Sequence, residues 1–133
     1  MVIPDAFDWY LLVGDETALP AIGRRIEELP AGKKVVAIIE IAGPAEEQII
    51  TASADVTTIW AHRNGATAGT GTVLLDAVMS AQFPTGDCFA FIAGESTQSK
   101  AIRAHLEARG FDKQWIKAAG YWVLGQADAH EPH

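Results

Sequence analysis

Cysteine is almost missing from the 133-residue chain, which contains only Cys88. One cysteine excludes an internal disulfide, a cysteine-rich zinc site and a four-cysteine iron–sulfur cluster. Cys88 lies in an apolar stretch, which favours a small core residue in a reduced, cytoplasmic protein. The 4 histidines show no convergent metal spacing, so the sequence predicts no metal site.

Positive charge and long apolar runs are also scarce. The chain has 10 Lys and Arg residues against 17 Asp and Glu residues, for a net charge of −7. Such a chain has no general attraction to nucleic acid or anionic lipid. No apolar run approaches the roughly 20 residues that cross a bilayer, and residues 1–5 lack the regions of a signal peptide. We therefore expect no nucleic-acid partner and no membrane span.

The chain does contain a regular alternation of apolar runs and helical patterns. Apolar runs predict strands at 9–13, 35–39, 56–61, 88–93 and 121–124. Amphipathic or apolar helical patterns predict helices at 19–29, 73–81 and 99–109. The alternation predicts a three-layer α/β fold, with a mainly parallel five-stranded sheet flanked by helices. Residues 1–125 form this domain, and residues 126–133 form a polar tail.

In such sheets ligands bind where the strands end, near the switch in strand order. After the first predicted strand, Gly14 allows a sharp turn and Thr17 can cap a helix whose N–H groups suit a phosphate. However, Asp15 and Glu16 would repel a phosphate placed on them. A well-capped turn without a ligand is therefore an equally good interpretation.

The ends of the other strands supply further candidates. Glu40 either contacts a ribose or caps the end of the sheet. Arg63 is a cation at a strand end, so it is a candidate for an anion contact, although a solvated surface arginine is the alternative. Glu95 is either a functional carboxylate or a charge that neutralises a helix N-terminus.

Four segments in register carry a family resemblance: LLVGDETALPAI at 11–22, WAHRNG at 60–65, AGES at 93–96 and GYW at 120–122. Together they resemble the C-terminal NAD(P)H-binding domain of the siderophore-interacting proteins. These are FAD-dependent ferric-siderophore reductases of the ferredoxin-reductase-like group. The resemblance covers roughly residues 8–125. It implies that hydride passes from NADPH or NADH to FAD in an N-terminal barrel, and that single electrons then reduce Fe(III) and release Fe(II).

The resemblance also implies roles for individual residues. The pyrophosphate and nicotinamide side of the cleft would be lined by Gly14, Asp15, Thr17, Ala18 and Pro20, and completed by Gly94, Glu95 and Ser96. The adenosine phosphate would meet Arg63, with Lys100 or Arg103 as further cations. Tyr121 and Trp122 would lie near the domain junction. Val123 stands where family members often carry a basic residue, which weakens any attraction of this segment for an anionic siderophore.

The segment before Asp8 is too short for the FAD barrel, so we expect the barrel to be absent from this chain. FAD and the ferric siderophore would then be reached only through a barrel partner, in cis or in trans. The chain alone should not reduce siderophores, and its exposed docking face could drive self-association. The alternative is a stand-alone nucleotide-binding or protein-interaction module without redox activity. Arg63 favours NADPH and Glu40 favours NADH, so the choice of cofactor stays open.

Overall fold

The computed structural model describes residues 7–48, 53–64, 67 and 71–122. The strands are β1 (Trp9–Asp15), β2 (Lys34–Ile41), β3 (Asp55–His62), β4 (Cys88–Glu95) and β5 (Ile116–Trp122). The helices are α1 (Leu19–Glu28), α2 (Val73–Ser80) and α3 (Ser96–Ala108), with 3₁₀ turns at Glu16–Ala18, Pro44–Glu46 and Lys113–Trp115. The predicted α/β fold with five strands is confirmed.

The five strands form one parallel sheet in the order β3-β2-β1-β4-β5. The chain first builds the sheet outwards from β1 through β2 to β3, and then returns to place β4 on the other side of β1. The strand order therefore switches between β1 and β4. We call the edge where all five strands end the carboxyl edge. A ligand in this fold is expected there, beside the β1/β4 switch point.

Both faces of the sheet are covered, which makes the predicted three layers. Leu12 of β1 packs on one face with Ile22 and Ile26 of α1. Val13, on the other face, belongs to the core formed with α2 and α3, in which Ile102 is fully buried. Because neighbouring side chains alternate between two buried faces, the central strands are apolar at nearly every position.

Some elements begin or end at residues other than those predicted. Helix α3 begins at Ser96 rather than at residue 99, because Glu95 supplies its cap. Strand β5 begins at Ile116 rather than at residue 121, because pairing with β4 extends it through residues of weak strand pattern such as Lys117 and Ala118. Residues 123–124 of the predicted strand and the tail at 126–133 lie outside the described residues.

Within the described ranges, no helix is long and apolar enough to cross a bilayer. In the same ranges, no three His, Cys, Asp or Glu side chains are grouped so that they could hold a metal ion. Cys88 is a partly buried residue that packs against the core. Burial raises the pKa of its thiol, which disfavours the reactive thiolate form.

Candidate functional site

Gly14 allows β1, β4 and α1 to converge at the switch point. It lies opposite Ala93 in the sheet register. A Cβ atom on Gly14 would lie 2.6 Å from the carbonyl oxygen of Ala93, and 3.0 Å from both Ala18 Cβ and Ile22 Cδ1. Gly14 is therefore part of a regular strand rather than a sharp turn, and the absence of a side chain serves close packing.

Gly94 makes room for a buried carboxylate at the same point. Its φ is +150°, and a Cβ atom there would lie 2.9 Å from Oδ2 of Asp15. Asp15 is 2% exposed. Its Oδ1 accepts hydrogen bonds from the backbone N–H of Thr17, at 3.0 Å, and from the Thr17 hydroxyl. Asp15, and not Thr17 as predicted, is therefore the residue that caps the turn after β1.

Glu95 occupies the corresponding position at the end of β4. Its Oε1 accepts a hydrogen bond from the backbone N–H of Gln98 at 2.9 Å. Glu95 and the following Ser96 are both buried. Of the two roles that the sequence left open for Glu95, the structure contains the helix cap, which places negative charge at the N-terminus of α3.

Arg63 is the centre of an ion cluster at the ends of β1, β2 and β3. Its backbone N–H donates to the carbonyl oxygen of Ile41 at 2.9 Å, which continues the β2–β3 pairing past the end of β3. Its guanidinium binds Glu16 through two parallel hydrogen bonds, Nη1 to Oε2 at 2.7 Å and Nη2 to Oε1 at 2.8 Å. Nη1 also donates to Oε2 of Glu40 at 3.0 Å. The Arg63 side chain is only 9% exposed, so it is not a solvated surface arginine.

The two glutamates of the Arg63 cluster have pKa values displaced in opposite directions. Burial raises the pKa of Glu40, and the Arg63 hydrogen bond and charge oppose this effect without cancelling it. The charges of Asp15, which is opposite Glu40 in the register, and of Glu16 add to the increase. Burial also acts to raise the pKa of Glu16, but the hydrogen bonds from Arg63, a backbone hydrogen bond at Glu16 and the charge of Arg63 together outweigh it and lower that pKa. The hydrogen bond to Glu16 is the main reason that the pKa of Arg63 is raised.

Replacing Glu40 with glutamine should therefore change the pH dependence of stability. A carboxyl group with a raised folded-state pKa stabilises the fold at low pH, and this contribution is lost as pH rises through that pKa. We expect Glu40→Gln to gain free energy of unfolding relative to the native protein as pH rises above the ordinary carboxyl value of 4.5. Urea unfolding at a series of pH values measures the difference.

Glu16→Gln is the matched control for this experiment, with the opposite sign. The stabilising contribution of ionised Glu16 is present above pH 4.5 and is lost as pH falls through its lowered pKa. Glu16→Gln should therefore lose free energy of unfolding relative to the native protein as pH rises toward 4.5. Parallel stability curves for Glu40→Gln and the native protein would contradict the raised pKa of Glu40.

The other predicted site residues are spread along the carboxyl edge. Thr17 is exposed in the turn after β1, Pro20 is exposed in the first turn of α1, and Ala18 is buried. Lys100 is exposed on α3, and Arg103 Nε lies 3.9 Å from Glu107 Oε1 on the same helix.

These α3 cations lie on the β4 side of the switch point, whereas Arg63 lies on the β2–β3 side. A shared adenosine-phosphate contact therefore stays a prediction. Strand β5 includes Tyr121 and Trp122, and their side chains are outside the description.

The pairing of Glu16 with Arg63 was missed by sequence reasoning. The two residues are 47 positions apart, and no local pattern joins them. The polarity of Glu40 inside an apolar strand was the only available signal, since a buried carboxylate needs a cation or hydrogen-bond donors.

A concave region lies at the opposite edge of the sheet, beside the starts of β1 and β4. It is a cavity of about 670 Å³ whose wall includes Trp9, Phe83, Phe111 and Trp115. The Arg109 guanidinium lies 4.4 Å from the centre of the Phe83 ring. Because ligands of parallel sheets bind at the carboxyl ends of the strands, we assign the functional site to the carboxyl edge and not to this cavity.

The family model for siderophore-interacting proteins matches residues 7–125. The chain belongs to this family. A solved siderophore utilization protein from T. fusca is 41% identical, with a TM-score of 0.85, over 96% of this chain and 49% of that chain. The predicted family is thus confirmed by the comparisons of both sequence and structure.

Two curated relatives extend the comparison. An uncharacterised protein of Mycobacterium tuberculosis is 36% identical over 94% of this chain and 48% of its own length. The NADPH-dependent ferric-chelate reductase of Escherichia coli is 29% identical over 92% of this chain and 47% of its own length. The chain therefore spans about half the length of the curated relatives that it matches.

Proposed function

We propose that this chain binds NADPH or NADH and acts as the nicotinamide-nucleotide half of a ferric-siderophore reductase. The observation that carries the proposal is the position of Glu40 and Arg63, near the ends of β2 and β3 and beside the β1/β4 switch point. In parallel nucleotide-binding sheets, an acid at the end of the second strand bonds the ribose 2′-hydroxyl, and a nearby arginine accommodates a 2′-phosphate. Both residue types are present at this edge.

The comparisons support the same proposal. The family is named for its interaction with siderophores, and one relative is named as an NADPH-dependent ferric-chelate reductase. When bound, the nicotinamide cofactor would supply a hydride to FAD held by a separate domain, for reduction of the ferric siderophore. The chain's own part is to bind the nucleotide and orient it along the carboxyl edge.

The dinucleotide would lie across this edge at the switch point. Gly14 and Gly94 bring the ends of β1 and β4 close together, where a Cβ atom on either residue would meet its neighbours. Within the turn after β1, the N–H groups of Thr17 and Leu19 already donate to Asp15 and to the carbonyl oxygen of Glu16. We therefore assign the main anion contact to Arg63.

The remaining parts of the proposal concern partners. The FAD domain would dock near β5, where Tyr121 and Trp122 lie in the strand, and the ferric siderophore would be met by that assembly. Self-association of the isolated chain through the same face, and a cytoplasmic location, belong to the proposal as well.

Calorimetric titration of the chain with NADPH and with NADH tests the proposal. At least one nucleotide should bind with a Kd below about 1 mM, the upper end of ordinary substrate affinities. With nucleotide and a ferric siderophore, the chain alone should produce no Fe(II), and addition of a FAD-loaded barrel domain from the family should start production.

Two results would overturn parts of this proposal. Failure of both nucleotides to bind at millimolar concentration would favour the alternative, an interaction module without redox activity. The pairing of Arg63 with the chain's own Glu16 is the observation that favours that alternative. Sustained Fe(II) production by the chain alone would contradict the proposal that a separate FAD domain is needed for reduction.

A further inference from the structure

The three members of the Arg63 cluster are buried to different extents. The side chain of Glu40 is 2% exposed and that of Arg63 is 9% exposed, whereas that of Glu16 is 42% exposed. Within the described part of the chain, Arg63 makes three hydrogen bonds to carboxylates, and Glu16 accepts two of them in the geometry that a guanidinium also uses for a phosphate. Nη1 and Nη2 of Arg63 therefore both donate to a carboxylate that water can reach.

The two ion pairs of Arg63 should differ greatly in how easily they separate. Glu16 can regain water when it leaves Arg63, and exposed ion pairs contribute little to stability. Glu40 cannot regain water without unfolding of the edge, and a buried carboxylate without its cation is strongly unfavourable. A ligand anion that approaches Arg63 would therefore exchange with Glu16 and leave the Glu40 pair intact.

We propose that Glu16 is a displaceable internal ligand of Arg63 that sets the preference of this site between NADPH and NADH. This inference rests on the proposed nucleotide-binding function. A 2′-phosphate that takes the Nη1 and Nη2 hydrogen bonds now made to Glu16 displaces that carboxylate. A cofactor with a 2′-hydroxyl leaves Glu16 in place and can donate to a carboxylate of the cluster.

The charges at the carboxyl edge also disfavour NADPH relative to NADH. One guanidinium faces the two carboxylates of Glu16 and Glu40, and Asp15 lies opposite Glu40 in the register. While Glu16 stays in place, this group of side chains repels a phosphate dianion. When Glu16 moves into solvent, the cluster loses one negative charge, and the two Arg63 donors that Glu16 occupied become free. Because NADPH has to cause this movement, the native protein should bind NADPH less tightly than a protein whose Arg63 has no such competitor.

Substitution of Glu16 by glutamine tests this inference directly. Glutamine keeps the side-chain length and an oxygen that can accept from Arg63, but it lacks the charge that competes with a phosphate. We expect Glu16→Gln to bind NADPH about tenfold more tightly than the native protein, as removal of one charged hydrogen-bonding competitor predicts. NADH affinity should change by less than about twofold, because no phosphate enters the cluster.

The matched control is Glu28→Gln, which removes one negative charge from an exposed position of α1. Its NADPH and NADH affinities should both equal those of the native protein. Titration of all three proteins with 2′,5′-ADP and with 5′-AMP isolates the contribution of the 2′-phosphate. The ratio of the two affinities should rise only in Glu16→Gln.

Each outcome distinguishes the inference from the proposed function. If the native protein binds NADPH and Glu16→Gln binds it equally or more weakly, the inference is wrong and the proposed function stands. If an equal gain occurs in Glu28→Gln, the effect is one of net charge, and the inference is also wrong. If none of the three proteins binds either nucleotide, the proposed function fails, and the inference fails with it.

Discussion

Replacing Gly14 with alanine should lower the free energy of unfolding by about 3 kcal/mol, the upper part of the ordinary cost of overpacking. The added Cβ atom would lie 2.6 Å from the carbonyl oxygen of Ala93, which is a backbone atom of the neighbouring strand. A strand in the middle of a sheet cannot rotate such an atom away without breaking its ladder of hydrogen bonds. Urea unfolding of the variant and the native protein measures the loss.

Gly23→Ala is the matched control for Gly14→Ala. Gly23 lies within α1, and a Cβ atom on it would have no heavy atom within 4 Å. The same methyl group should therefore stabilise the protein here, by about 1 kcal/mol, because alanine is the better helix former. Equal effects of the two substitutions would show that the convergence of β1, β4 and α1 does not depend on Gly14.

Gly14→Ala should also weaken nucleotide binding under conditions where the variant is folded. A shift of β1 away from β4 changes the spacing of the two strand ends that form the switch point. Gly23→Ala should bind nucleotides as the native protein does, since its methyl group lies in open space on α1.

Replacing Arg63 with methionine should produce the second large effect, a loss of about 3 kcal/mol of stability at neutral pH, as expected when one partner of a buried ion pair is removed. The loss should come from Glu40, which stays buried without its cation. Because the pKa of Glu40 is already raised, the carboxyl can take up a proton as pH falls. The loss should therefore become smaller in acid.

A second substitution separates this explanation from a simple loss of packing. Arg63→Met combined with Glu40→Met removes both charges and should recover most of the lost stability, because apolar replacements of buried ion pairs are often neutral. A double variant no more stable than Arg63→Met would contradict the stranded-charge explanation.

The same pair of variants tests the role of Arg63 in binding. Loss of the guanidinium should weaken NADPH by about tenfold or more, since a bidentate charged contact is lost, and should weaken NADH much less. Calorimetry on Arg63→Met, under conditions where this variant is folded, gives both affinities, and comparison with the double variant separates the contribution of Glu40. Equal weakening of the two nucleotides would count against a 2′-phosphate contact by Arg63.

The parts of the fold that could be predicted are those with a strong local pattern. The runs that form β1, β2 and β4 are apolar because both faces of the sheet are covered, so their positions follow from composition alone. Strand β5 was placed five residues late, because an edge strand containing Lys117 and Ala118 owes its conformation to pairing with β4 rather than to its own residues.

The candidate site was predictable in its location but not in its contacts. The rule that ligands bind at strand ends selected the turns that contain Asp15, Arg63 and Glu95. It did not reveal that Asp15 caps the turn that follows it, and it left open whether Glu95 is a functional carboxylate or a charge at the N-terminus of a helix. Nor did it reveal that Arg63 is almost buried, since burial of a charged group depends on partners that the chain brings from elsewhere.

By itself, the sequence determined the α/β class and the family, because alternating apolar runs and short motifs are properties of neighbouring residues. The tertiary structure alone decided the state of Arg63. Its partners lie 47 and 23 positions away, and they meet it only because β3, β2 and β1 are adjacent and parallel in the sheet. The sequence predicted that Arg63 is either solvated or a ligand contact. It is instead held by two glutamates, because the strand order depends on long-range packing rather than on local pattern.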